Sequence, residues 1–280
     1  MNARELARPY VAAFASRFQL LLQYRSAAVA GVVTQCWWGG LKVMILAAFY
    51  GASADAASHA PITLAQAITY TWISQAALAL LPWVGDPDIA LAVRTGAISY
   101  DRLRPLDIYG LWYARAAGWI AARAVPRAAL MFLFAAVVLP LCGFGAWSWH
   151  LPVSATATVL SMISIVLAVL LSAAIVMLIN VIITASMSDR GVNVLAAPLV
   201  IVFSGNLLPL PLLPDGVRTL MLVQPFAGLI DIPSRIYLGA LSGDSAVAAL
   251  GLQLFWIAAL ALIGRWAMER TMRTLEVQGG

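Results

Sequence analysis

Apolar positions run through this chain in long blocks, and polar positions gather in the gaps between them. A helix that crosses a bilayer needs about 20 apolar residues. Six blocks approach or exceed that length: about Ala27–Tyr50, Ile62–Val84, Ala124–Trp147, Ser154–Thr184, Val192–Leu208 and Ala246–Met268. A different rhythm precedes the first block. Leu6, Tyr10, Phe14, Phe18 and Leu21 recur every three or four positions and share one helical face, with Arg8, Ser16, Gln19 and Gln23 opposite. Pro9 sits near the first turn, where a helix tolerates it. Such a helix is expected in the headgroup plane, with Arg17 at the edge of its apolar face snorkelling to water. The pattern predicts an all-α polytopic membrane protein: an interfacial amphipathic helix over residues 1–26, then a six-span transmembrane domain over 27–280.

Two gaps are more structured than a plain connection. The first, Gly85–Arg123, opens with Asp86-Pro87, a helix cap followed by proline at the first helical position, and Gly96 supplies a stop. This outlines a helix over Asp88–Thr95, about 12 Å long, followed by a stretch from Tyr100 to Asp107 dense in both signs of charge. The second, Pro209–Asp244, is apolar but interrupted. Pro209, Pro211 and Pro214 prevent a continuous helix, Asp215-Gly216 reads as a turn, and Gln224-Pro225 interrupts again. Two short helices, about Val217–Val223 and Phe226–Leu241 with a break near Pro233, fit a re-entrant hairpin between spans five and six. Irregular backbone at membrane depth is tolerated only where protein or a water-filled cavity satisfies it.

Composition agrees with the blocks. Hydrophobic residues make up 62% of the 280 and charged residues 10%, with a mean hydropathy of +0.90. Soluble domains carry about 25% charged residues, so soluble, disordered and nucleic-acid-binding classes are excluded. The formal charge of +5 reads as a topology signal. Threading the six blocks places fourteen basic residues on one side and two, Arg218 and Arg235, on the other. By the positive-inside rule the richer side is cytoplasmic, and both termini lie there. The first residues, with Arg4, Glu5, Arg8 and Arg17, do not read as a cleavable signal. Cys36 and Cys142 read as small buried side chains, and His59 and His150 are too isolated for a metal site. Lys42 within the first block has two readings: it snorkels outward, or it lines a pathway and attracts an anionic group. Gln35, Gln66, Gln75, Asn180 and Asn206 read as polar contacts between helices.

The run Gly96-Ala97-Ile98-Ser99-Tyr100-Asp101-Arg102-Leu103-Arg104-Pro105-Leu106 resembles the segment after the second span in permeases of ABC-2-type ABC transporters. The run from Gln224-Pro225-Phe226 to Tyr237-Leu238-Gly239 is similar to that family's segment before the last span. The resemblance implies the membrane subunit of a bacterial exporter in the cytoplasmic membrane, paired with a second permease, identical or paralogous. Two separate ATPase subunits would bind ATP and Mg. No Gly-x-x-x-x-Gly-Lys-Ser/Thr loop occurs here, and the only lysine is Lys42, so this chain is expected to be no enzyme. It further implies that Asp86–Thr95 is a coupling helix, with Asp86, Asp88, Arg94, Asp101, Arg102 and Arg104 facing the ATPase. Gln224, Pro225, Phe226 and Tyr237 are expected at an outer gate, and Lys42 in the pathway. With few hydrophilic groups along that path, an amphiphilic or hydrophobic substrate is expected: a lipid, drug-like natural product or peptide. The competing reading is an ion-gradient-driven secondary transporter. It would want acidic residues within spans, whereas every Asp and Glu falls in an expected loop or end.

Overall fold

The computed structural model describes residues 3–23, 25–52, 60–98, 100, 103 and 105–274, and among them regular structure is helical throughout, with no strand. Helix α1 spans Ala3–Leu22 and α2 Arg25–Ala52. Helix α3, Leu64–Ala76, starts from a capping box in which Thr63 and Gln66 satisfy each other's backbone N–H, and it tightens into a 3-10 turn over Ala77–Leu80. The short α4 is Pro87–Arg94. Helix α5, Ile108–Leu133, is capped by Asp107 and continues through a π-turn at Phe134–Val138 to Leu141. Helix α6, Ala155–Ser186, is capped by Ser154 and stops at Met187, which takes the left-handed conformation at φ 54°. Then follow α7 Arg190–Phe203, α8 Asp215–Val223, α9 Asp231–Tyr237 and α10 Asp244–Thr274.

By length and composition four stretches are long and apolar enough to cross a membrane: Val29–Ala52, Ile108–Leu141, Ala155–Ser186 and Asp244–Arg273. The axis of the bundle is α6. Of its most apolar window 56% is buried, against at most 22% in the other three. Small side chains at Ala168, Ser172, Ala173 and Ala174, all fully buried, let α5, α9 and α10 close around it. Glycine permits equally close approach where α1 crosses α5: a Cβ on Gly118 would strike the backbone of Phe14.

Several expected boundaries move. The third span was expected from Ala124, but α5 begins at Ile108. Three arginines dilute the apolar signal there, and each has found a place on the helix. Arg115 reaches Asp88, Arg123 lies 3.8 Å over the Trp119 ring, and the Arg127 guanidinium fills the space beside Gly31. At 34 residues, or about 51 Å, Ile108–Leu141 is longer than an apolar core of about 30 Å requires. The second and fifth blocks are shorter as helix than as hydropathy. Leu81–Asp86 leaves the helical conformation after the 3-10 turn, and α7 stops at Phe203. In the proline-rich region Asp215-Gly216 is not a turn but the start of α8. The interruption before α9 falls at Leu229-Ile230 rather than at Pro233, which sits in the first turn of α9 where it needs no donor. Cys142 is exposed rather than buried.

Candidate functional site

Two polar constructions stand out from the apolar bundle, one at the end where α4 lies and one where α7 stops.

At the first, Asp86 ends an extended stretch and caps α4, its carboxylate accepting the Asp88 N–H at 3.0 Å, with Pro87 at the first helical position. Gly96, at φ 71°, lets the chain turn away past the helix end. The start of α4 is tied to four other helices. Asn180 of α6 accepts the Asp86 N–H at 2.8 Å, and Asn193 of α7 accepts the Gly85 N–H at 3.1 Å. Arg17 of α1 divides its fork, one nitrogen 3.2 Å from Asp86 and the other 2.5 Å from Asp88. Arg115 of α5 lies 3.5 Å from the same Asp88 oxygen. Gly85 is required by proximity, since a Cβ there would overlap Ile183 and Asn180. Asp86 is fully buried, whereas Asp88 is half exposed. A buried carboxylate persists only with a partner of opposite charge, and Arg17 is that partner. It does not snorkel, contrary to the expectation from its place on α1. The pairing is incomplete: the second Asp86 oxygen and Arg17 Nε are buried without a hydrogen bond.

The outward side of α4 remains open. Leu91 is 54% exposed, and Arg94 approaches Asp189 in the α6–α7 turn at 3.7 Å. Met187 in that turn is also exposed. Of the residues expected to face a partner, Asp88 and Arg94 lie on this surface while Asp86 is sealed beneath it. Asp101, Arg102 and Arg104 lie outside the described residues.

The second construction surrounds the end of α7. Gly205 takes φ 82°, and a Cβ there would overlap the Tyr70 hydroxyl. The next residue, Asn206, is a junction. Its carbonyl accepts Lys42 Nζ at 2.5 Å, its side-chain oxygen lies 3.4 Å from the same ammonium, and its amide donates to the Ser74 carbonyl at 3.3 Å. Lys42 is thus directed inward to α7 rather than along α2 to its end. A cavity of about 80 Å3 lies here, lined by Lys42, Tyr70, Thr71, Ser74, Gly205 and Asn206 on its polar side.

Behind this wall, Tyr70 donates to Asp231 at 3.1 Å, and Arg235 approaches the other Asp231 oxygen at 3.5 Å. Asp231 is fully buried at the start of α9, within the expected inter-span region.

The four expected gate residues separate into two places. Gln224 donates to the Phe203 carbonyl at 2.7 Å and accepts the Phe226 N–H at 2.7 Å, so it ties the Pro225 turn to the end of α7. The Phe226 ring lies 6.3 Å from that of Phe203. Tyr237 stands apart, accepting from Trp149 Nε1 at 2.9 Å and donating to the His150 carbonyl at 3.1 Å. Gln253 of α10 joins the Gln224 side of the region by donating to the Gly228 carbonyl at 2.7 Å, and it also accepts from Ser164 at 2.9 Å. Sequence reasoning singled out neither Asp231, Tyr70, Gln253 nor Asn193. A lone polar residue in an apolar run was their only signal, and it does not reveal a partner. Among the described residues no group of three or more His, Cys, Asp or Glu is placed to hold a metal ion.

Comparison with protein-family models, with curated proteins and with solved structures finds no match for this chain.

Proposed function

We propose that this chain is the membrane subunit of an ABC transporter of the ABC-2 type, a conduit driven by ATP-binding subunits on separate polypeptides. The observation that carries the proposal is α4: an eight-residue helix fastened to α1, α5, α6 and α7, with Leu91 and Arg94 open to a partner. A short helix held by side chains from four elements transmits a push to all of them, whereas a loose loop would absorb it. In this reading α4 is the coupling helix, its end of the bundle is cytoplasmic, and the α6–α7 turn with Met187 and Asp189 shares the docking surface.

The six passes of the conduit are the four long helices together with α3 and α7, two short helices completed by irregular chain. The segment from Pro209 to Leu241 is the re-entrant hairpin. Gln224 and Gln253 anchor its inner tip, and Tyr237 lies at its outer end beside Trp149. Helix α1 lies along the cytoplasmic headgroup plane, its exposed Leu6, Val11 and Leu20 turned to lipid. Both termini are cytoplasmic, in a bacterial inner membrane. Two permeases, identical or paralogous, stand on two ATPases that bind ATP and Mg, and the cargo is amphiphilic or hydrophobic.

The test is isolation of the tagged chain from native membranes, with an ATP-hydrolysing subunit expected in complex. Arg102→Glu with Arg104→Glu should abolish transport-coupled ATPase stimulation and leave membrane insertion intact. A second reading, an ion-gradient-driven secondary transporter, is favoured by one observation, the fully buried Asp231 beneath Tyr70. Uptake into proteoliposomes of the chain alone, driven by a pH gradient and lost in Asp231→Asn, would establish that reading in place of the first.

A further inference from the structure

We infer that the cavity beside Lys42 is a subsite for the anionic head of an amphiphile, a phosphate- or carboxylate-bearing lipid-like molecule whose apolar body lies along Ile45, Leu207 and Leu208. This deepens the permease reading and rests on it, because it names the class of cargo.

Three features of the site converge. The first is charge. Lys42 has two acceptors, the carbonyl and the side-chain oxygen of Asn206, and both are neutral. Among the described residues no carboxylate lies within ion-pair distance of it. Asp231 stands behind Tyr70 and is already engaged by Tyr70 and Arg235. A glutamine would serve the Asn206 carbonyl as well as an ammonium does, without the cost of an uncompensated charge in an apolar bundle. A cation in this position is explained by an anion that arrives from outside the chain.

The second feature is room. A water takes up about 30 Å3 in the liquid, so a cavity of about 80 Å3 has space for about two or three waters, enough for a carboxylate or phosphate head. Tyr70, Thr71, Ser74 and Asn206 are the polar residues of its wall beside Lys42, each already hydrogen-bonded within the chain. Gly205 belongs to the same wall, and its left-handed conformation turns the chain so that the Asn206 carbonyl faces Lys42.

The third is the border. The remaining lining includes Ile45, Leu207 and Leu208, which are 68%, 60% and 39% exposed. A largely apolar recess that carries one ammonium at its wall and opens onto exposed aliphatic side chains matches a molecule with a charged head and an apolar body. A small inorganic ion would leave that border unused.

The experiment uses the full-length chain in detergent, without any ATPase, and compares dioleoyl phosphatidic acid with dioleoyl phosphatidylcholine by equilibrium binding. Wild type should prefer the anionic lipid at least tenfold. Lys42→Met should remove the preference, and Lys42→Arg should keep most of it. Thr71→Leu, which fills the cavity without touching the ammonium, should weaken it too. Inorganic phosphate that displaces the lipid with comparable affinity would overturn the amphiphile assignment and leave a free-anion site. Little competition supports a lipid-like ligand. Photoreactive phosphatidic acid on wild type provides a check independent of any variant's folding: labelling should map to the segments around Ile45 and Leu207. Equal affinity for the two lipids, or labelling confined elsewhere, would overturn the inference. A chain that binds phosphatidic acid through Lys42 but associates with no ATPase keeps the subsite and refutes the ATP-driven reading, so the two failures are distinguishable.

Discussion

The two polar constructions of this protein handle charge in opposite ways. At the α4 end, charges of both signs meet: Asp86 and Asp88 share Arg17, Arg115 adds to Asp88, and Arg94 approaches Asp189. Around the end of α7, Lys42 is held by neutral oxygens and the helix itself has given way. Where water reaches one partner, an ion pair needs only moderate geometry, and its network can be regulated by contact with another protein. Around Asn206 the chain uses backbone carbonyls and amides, which satisfy an irregular segment without placing a second charge beside Lys42, while the Asp231–Arg235 pair stands behind Tyr70. The first arrangement suits transmission of force between polypeptides. The second suits a place where something polar is admitted temporarily.

The sharpest way to break this comparison is to remove charge at the first site. Asp86→Ala leaves Arg17 without its buried partner, and a broken buried pair costs about 3–5 kcal/mol. Asp88→Ala removes a half-exposed carboxylate, for which at most about 1 kcal/mol is expected. Thermal unfolding of the purified protein should therefore separate the two variants widely, and Asp86→Ala with Arg17→Met should recover part of the loss. Equal shifts for the two aspartates would mean that the distinction between sealed and open carboxylates is mistaken.

Two glycines sharpen the comparison further. Gly96 and Gly205 both take left-handed conformations, but a Cβ at Gly96 meets open space while one at Gly205 overlaps Tyr70. Gly96→Ala should cost the backbone term alone, about 1–2 kcal/mol. Gly205→Ala should cost that and the displacement of a buried tyrosine, a difference that denaturant titration of the two variants resolves.

What the sequence made legible was local. Asp86-Pro87 and Gly96 delimit α4 as expected, because a cap, a proline and a stop act through the residues beside them. The long apolar blocks announced α2, α6 and α10 for the same reason. The onset of α5 was hidden because Arg115, Arg123 and Arg127 lower local hydropathy, while what accommodates them is Asp88, the Trp119 ring and the space beside Gly31. Arg17 and Asp86 are separated by 69 positions, so no spacing on α1 could show that Arg17 would leave the snorkelling position. Asn180 and Asn206 read as polar contacts between helices, which they are, but periodicity could not say that one receives the cap of α4 and the other receives Lys42. Burial of Asp231 was equally out of reach, since it depends on α3 supplying Tyr70 across the bundle.

The smallest effect on stability carries the largest functional consequence. Leu91 and Arg94 occupy the open side of α4, more than half exposed, and surface substitutions away from caps and buried pairs usually stay within about 0.5 kcal/mol. Leu91→Asp with Arg94→Glu should therefore leave the melting temperature nearly unchanged. If α4 is a docking helix, the same pair should abolish co-isolation of the ATPase, because an apolar contact centre and its charged rim are both inverted. Asp86→Ala is expected to lose the partner as well, but only by loosening the helix that presents the surface, and its melting temperature would report that. A Leu91/Arg94 variant that keeps its ATPase would detach docking from α4 altogether. Loss of the partner at an unchanged melting temperature would separate the surface that is recognised from the network that holds it in place.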